Sequence, residues 1–166
     1  MGFTAIPGGD IWLQIGTTQT PTSGSSVSFT SIPPVKKLRL CVQNVALTTA
    51  GVLDITFNND SGTNYYQTTL IFNGTSTSIV AAQNAFIDTT RSSGAGVHLQ
   101  DFVVDYANQA CPKLIEGFGS NNGSNAAYYG IVANYNSTTA INRVDFTTAN
   151  TFNATNTGTI AIYGAF

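Results

Sequence analysis

Apolar and polar residues alternate with a period of two along most of this chain. That is the pattern of strands that bury one face. Within Lys36–Val45, Leu38, Leu40 and Val42 share one face, and Arg39, Cys41 and Gln43 share the other. Leu53, Ile55 and Phe57 fall together, opposite Asp54 and Thr56. Tyr66, Leu70 and Phe72 line one side of Tyr65–Phe72, with Thr68 interrupting. Phe102, Val104 and Tyr106 alternate against Val103 and Asp105, and Leu114 and Phe118 flank Glu116. Val144 pairs with Phe146, and Ile160 with Ile162. Ile11–Ile15, Ser26–Thr30 and Ala127–Tyr135 also read as strands. Ile79–Ile87 fits either a strand or a short helix, because Ala81, Ala82 and Ala85 permit one.

Turn-forming residues separate these runs. Thr17–Ser26, Asn73–Ser78, Asp88–Gly96, Gly119–Asn125 and Thr147–Asn156 read as loops, the last anchored by Phe152. Ser31-Ile-Pro-Pro34 breaks a ladder, since proline lacks the N–H donor. Phe57-Asn-Asn-Asp-Ser-Gly-Thr-Asn-Tyr-Tyr66 is built like a turn between two alternating runs and predicts a β-hairpin with a polar tip. Asn136-Ser-Thr138 is short enough to join two more strands as a hairpin. Nine or ten strands result, with no helix longer than two turns and no room for crossover helices. The expected fold is therefore all-β: an antiparallel β-sandwich of Greek-key or jelly-roll type with about 8–10 strands. One domain over 1–166, with a short N-terminal arm over 1–10, fits the length.

Composition changes the picture of the surface. Only 8% of the residues are charged and the formal net charge is -2, roughly a third of the usual charged fraction. Asn, Ser and Thr supply the polarity instead, as 53 of 166 residues. Ten Phe and seven Tyr argue against disorder. Such a surface gives nucleic acid little to hold and costs little to desolvate against another subunit. It favours a packed assembly subunit. No apolar run of membrane-spanning length occurs, and no basic segment precedes an apolar stretch at the start, so neither a membrane helix nor a secretory signal is expected.

Candidate chemistry is sparse. His98 is the single histidine and reads as structural or surface. Cys41 and Cys111 match no metal or redox spacing; they read as small buried hydrophobes, with a disulfide as the alternative. Seven Asp and one Glu offer few pairs for glycoside hydrolysis, and Asp101 and Asp105 would lie about 13 Å apart on an extended strand. Asp54, Asn58, Asp60 and Gly62 resemble spaced calcium donors, but Tyr65 stands where the closing Glu belongs. No phosphate loop, nucleophile elbow or zinc motif appears, and Gly94-Ala-Gly96 is too short to count. Asn59, Asn73, Asn122, Asn136 and Asn153 begin Asn-x-Ser/Thr triplets that mark loops, and no glycans are expected on them. The chain is expected to be no enzyme, with no cofactor and no metal. Candidate interface or ligand contacts are Trp12, the basic pair Lys36 and Lys37, Asp60 and Tyr65 at the predicted hairpin tip, and Tyr128 and Tyr129. Tyr128 and Tyr129 must point to opposite faces of one strand. An exposed tyrosine there suits either a protein contact or a sugar.

Trp12, Ser26-Val-Ser-Phe-Thr-Ser-Ile-Pro33, Leu38-Arg-Leu40 and Phe57-Asn-Asn-Asp-Ser-Gly-Thr-Asn-Tyr65 recur in an order that resembles small structural proteins of tailed-bacteriophage virions. The likeness covers residues 11 to 72; Asn59 replaces the usual glycine. It implies a β-sandwich virion component with no catalytic residues. The favoured role is a capsid decoration or cement protein, trimeric, on the outer surface of the head against the major capsid protein. A tail, fibre or spike component is the first alternative, and a carbohydrate-binding host-attachment module the second.

Overall fold

The computed structural model describes residues 10–49, 51–74, 76–84, 87–88, 97–121 and 127–166. Most of the predicted N-terminal arm, residues 1–9, lies outside them, as do Gly94-Ala-Gly96 and the triplet at Asn122. Twelve strands run in order among the described residues: β1 Trp12–Gln19, β2 Ser26–Phe29, β3 Lys37–Ala46, β4 Asp54–Phe57, β5 Tyr65–Asn73, β6 Ser76–Asn84, β7 Ile87–Asp88, β8 Val97–Asp105, β9 Lys113–Asn121, β10 Ala127–Tyr135, β11 Val144–Thr147 and β12 Thr159–Ala165. They form two antiparallel sheets. The larger has eight strands in the order β1-β12-β3-β8-β9-β10-β5-β6, and the smaller four in the order β2-β11-β4-β7.

One hydrophobic cluster draws on both sheets. Leu38, Leu40 and Val42 of β3, Phe102 and Val104 of β8, and Ile160 and Ile162 of β12 enter it from the larger sheet. Phe29, Ile55, Phe57, Val144 and Phe146 enter from the smaller one. The period-two reading of β3, β4, β11 and β12 therefore marks their buried faces, and Phe152 is buried in the loop it was expected to anchor. At Gly117 a Cβ would come 2.6 Å from Phe102 Cδ1, so the bare backbone of β9 is what lets that ring lie across it.

Two expected hairpins are corrected. β4 pairs with β11 and β7, whereas β5 pairs with β10 and β6. Phe57–Tyr66 is thus a corner between the sheets. Residues 136–143 form a second corner, from β10 of the larger sheet to β11 of the smaller. Turn residues between alternating runs look the same in a hairpin and in a corner; the partners decide. Asn58 and Asn59 take the left-handed conformation, with φ of 55° and 57°. The Asn58 side chain then binds the other corner: Oδ1 accepts from Asn142 N at 2.9 Å, and Nδ2 donates to Ala140 O at 2.9 Å. Beneath them Tyr65 and Tyr135 stack with ring centres 4.8 Å apart, and Phe57 lies 5.4 Å from Tyr135.

Other boundaries shift. β1 continues to Gln19 through the expected Thr17–Ser26 loop, with a register break after Ile15 where Gly16 has φ of 67°. The ambiguous Ile79–Ile87 segment resolves into β6, which forms a true hairpin with β5 around Gly74, and the separate short β7. β9 extends through Asn121, into the expected Gly119–Asn125 loop.

Candidate interaction surface

The smaller sheet contributes to the cluster on one face of the larger sheet; among the described residues nothing packs over the opposite, open face. Cross-strand pairing places its side chains in rows. Cys41, Asp101, Phe118, Gly130, Leu70 and Ile79 form one row from β3 to β6. Arg39, Val103, Glu116, Val132, Thr68 and Ala81 form the next. Leu99, Ser120, Tyr128, Phe72 and Thr77 form a third. Phe118 is 75% exposed, Ile79 71%, Tyr128 70% and Val132 54%. Leu99, Tyr66 and Phe72 are also exposed. A trough of about 710 Å³ crosses this face from Trp12 and Arg39 to Thr68 and Leu70, with Glu116 and Val132 between.

The charges of the face are unevenly satisfied. Arg39 grips Asp101 with two parallel hydrogen bonds, and this raises the guanidinium's pKa. Beside them Cys41 stays a thiol: burial first, then Asp101, pushes its pKa up to about 11. Cys41 and Cys111 are both free and only half-buried, so they are neither a disulfide nor fully buried hydrophobes. Glu116 is exposed in mid-trough and forms no ion pair among the described residues. Each described cation is already engaged. Lys36 donates to Phe166 O at 3.0 Å, and Lys37 reaches Asp10 at 3.0 Å and Asp105 at 3.4 Å. Arg143 pairs with Asp145. Lys113 is fully buried, and its Nζ donates to the carbonyls of Gln109, Cys111 and Ser137 at 2.7, 2.6 and 3.0 Å.

The contact candidates separate accordingly. Trp12 and Tyr128 reach the open face. Lys36 and Lys37 sit at the end of β3 and hold the chain's own groups. Tyr65 and Tyr129 are core residues that present no surface. The Tyr65 hydroxyl accepts from Phe57 N at 2.8 Å, and burial raises its pKa. Asp60 organises the first corner, accepting from Gly62 N at 2.8 Å, Asn64 Nδ2 at 2.9 Å and Tyr135 Oη at 3.0 Å. Burial alone would raise its carboxyl, but these bonds outweigh it and the net shift is downward. The donors that mimicked a calcium loop are thus turn chemistry: Asn58 and Asp60 spend their oxygens on the corners. Among the described residues no three His, Cys, Asp or Glu side chains gather as a metal site. His98 lies buried on the covered face, and burial lowers its pKa to about 4.

Sequence reasoning missed Phe118, Val132, Leu99 and Glu116 as surface groups. Their signal was present: β9 reads apolar at Leu114 and Phe118 on the same side as Glu116, and a core face does not carry a lone carboxylate. In comparison with known proteins, no family model, curated protein or solved structure matches the chain.

Proposed function

We propose that this protein is a structural subunit, a two-sheet sandwich that works by packing the open face of its larger sheet against another protein. The observation that carries this reading is the exposure of Phe118, Ile79, Tyr128 and Val132 on one continuous face. Exposed apolar side chains gathered on one face, rather than scattered singly, mark an interaction site. Each 100 Å² of apolar surface buried there contributes about 2.5 kcal/mol before the costs of association. The exposed Glu116 asks the partner for a lysine or arginine. The resemblance of residues 11 to 72 supplies the setting: a tailed-phage virion, with decoration of the outer head surface ahead of a place in the tail. The major capsid protein is then the partner, and the subunit acts by bracing contacts without catalysis.

Quantitative mass spectrometry of particles made from the encoding genome tests this. Hundreds of copies fit shell decoration, and a few to tens fit a tail ring or fibre. Absence from the particles would end the virion reading. Phe118→Asp should abolish incorporation while leaving the fold intact by circular dichroism.

The Tyr128 ring, exposed beside Phe72 and Leu99, supports a second reading as a glycan platform. Binding on a glycan array that Tyr128→Ala removes would favour it. An empty array with unchanged adsorption would dismiss it.

A further inference from the structure

The free edge of β6 is a second surface, distinct from the trough. β6 ends the larger sheet, and no strand pairs on its far side among the described residues. Its nine residues Ser76–Asn84 are exposed on both faces apart from the half-buried Val80 and Asn84. Proteins blunt such edges with charges, prolines, bulges or short length. β6 has none of these: Ser-Thr-Ser-Ile-Val-Ala-Ala-Gln-Asn holds no charge and no proline, and its register with β5 is unbroken. The other edges of the molecule are blunted. β1 carries the bulge at Gly16, β2 has four residues and β7 two.

We infer that β6 pairs antiparallel with β6 of a second copy about a two-fold axis, joining the larger sheets into one. The strand is self-complementary. With the axis at its midpoint, Val80 faces its own copy, Ile79 faces Ala81, and Thr77 faces Gln83. Every residue then meets one from the same side of the sheet. The absence of charge matters here, because a two-fold brings any charge close to the midpoint near its own copy. Hydrogen-bond parity agrees. Asn136 N donates to Asn64 O at 2.8 Å, so even-numbered residues of β5 bond to β10 and odd-numbered ones to β6. Ser76 and every second residue after it therefore bond to β5, while Thr77, Ile79, Ala81 and Gln83 aim their backbone groups outward. In the proposed register these four exchange bonds with each other across the axis. A single strand pair buries less than the roughly 800 Å² per partner of a standard interface. An interface of that size belongs with weak, reversible association. The two-fold departs from the trimer that the family resemblance implies.

Sedimentation velocity of the purified full chain across the micromolar range tests this. The expected result is a monomer–dimer equilibrium. Ile79→Lys with Ala81→Lys should weaken association at least tenfold, as should Ile79→Glu with Ala81→Glu. An equimolar mixture of the two variants should restore the dimer, because 79 of one copy faces 81 of the other. If either charged variant fails to fold, Ala81→Pro, which removes one outward N–H, should weaken association in its place. A chain that stays monomeric throughout, a trimer, a dimer indifferent to these changes, or a mixture that does not reassociate would each overturn the pairing. Ile79 and Ala81 also lie in rows of the open face, so weakening by one charged pair alone touches both surfaces; reassociation of the mixture, which needs 79 to face 81, and the Ala81→Pro result belong to the edge.

Discussion

Phe102 and Phe118 sit in neighbouring strands of one sheet, and their surroundings are opposite. Phe102 of β8 is fully buried on the covered face; Phe118 of β9 is 75% exposed on the open one. β5 shows the contrast within a single strand. Gln67 and Thr69 are buried, with Gln67 Nε2 bonded to Thr69 Oγ1 at 2.6 Å, while Tyr66 and Phe72 are exposed. An antiparallel sheet with one solvated face normally alternates apolar inward and polar outward. Here the usual assignment is partly reversed. The covered face can hold the buried Gln67 amide because it bonds the neighbouring Thr69 hydroxyl. The open face holds rings that nothing among the described residues covers. What differs between the faces is whether the cover comes from this chain or from another.

Truncating the two phenylalanines would break the comparison most directly, and the larger effect lies on the covered side. Phe102→Ala should cost about 3–5 kcal/mol, since the fully buried ring lies across Gly117, which has no side chain to fill the space left. Urea unfolding followed by tryptophan fluorescence reads this as a lower midpoint at unchanged slope. A cost below about 1 kcal/mol would mean that the covered face is loosely packed and no different in kind from the open one.

Much of the covered face was legible because alternation in β3, β4, β11 and β12 reports burial by this chain. The open face was less legible for the same reason. Period two says which residues share a side and is silent on which side meets the second sheet, so Tyr66, Leu70 and Phe72 read like a core stripe. The corners were misread as hairpins because Asn58 and Asp60 have the chemistry of either. What separates them lies far along the chain: the strand partners of β4 and β5, and the bonds from Asn58 to Ala140 and Asn142, more than eighty positions away.

His98 offers a graded test of the covered face. Burial lowers its pKa from 6.5 to about 4. The unfolded chain therefore binds a proton that the folded chain refuses between those values, and stability rises with pH across that window. Stability is complete above pH 6.5 and falls by about 1.4 kcal/mol per pH unit below it, to a total of roughly 3 kcal/mol near pH 4. The slope between pH 6.5 and 5 is therefore the part to compare with and without the imidazole. His98→Phe should flatten it in chemical unfolding at several pH values. An unchanged slope would place the imidazole in water and remove it from the covered face.

Asp60→Ala probes the corners that carry the chain between the sheets. It removes an acceptor for Gly62, Asn64 and Tyr135, at a cost of about 1–2 kcal/mol. Added calcium should not shift the midpoint of the unaltered chain, because these donors already occupy the carboxylate. A calcium-dependent rise would restore the loop-site reading.

Phe118→Ser has the smallest expected effect on stability and the sharpest meaning. With three quarters of the residue already in water, little apolar area is lost, and the change should stay within about 0.5 kcal/mol. Solubility should rise, because a ring has left an exposed apolar area. The same substitution should lower retention on a hydrophobic column and, in the proposed assembly, weaken attachment to the partner. Stability and attachment then separate: a residue that matters to the fold moves both, and one reserved for a partner moves only the second. A loss of several kcal/mol from Phe118→Ser would show that the open face is covered within the chain itself. The distinction between the two faces, and the assembly role drawn from it, would then fall together.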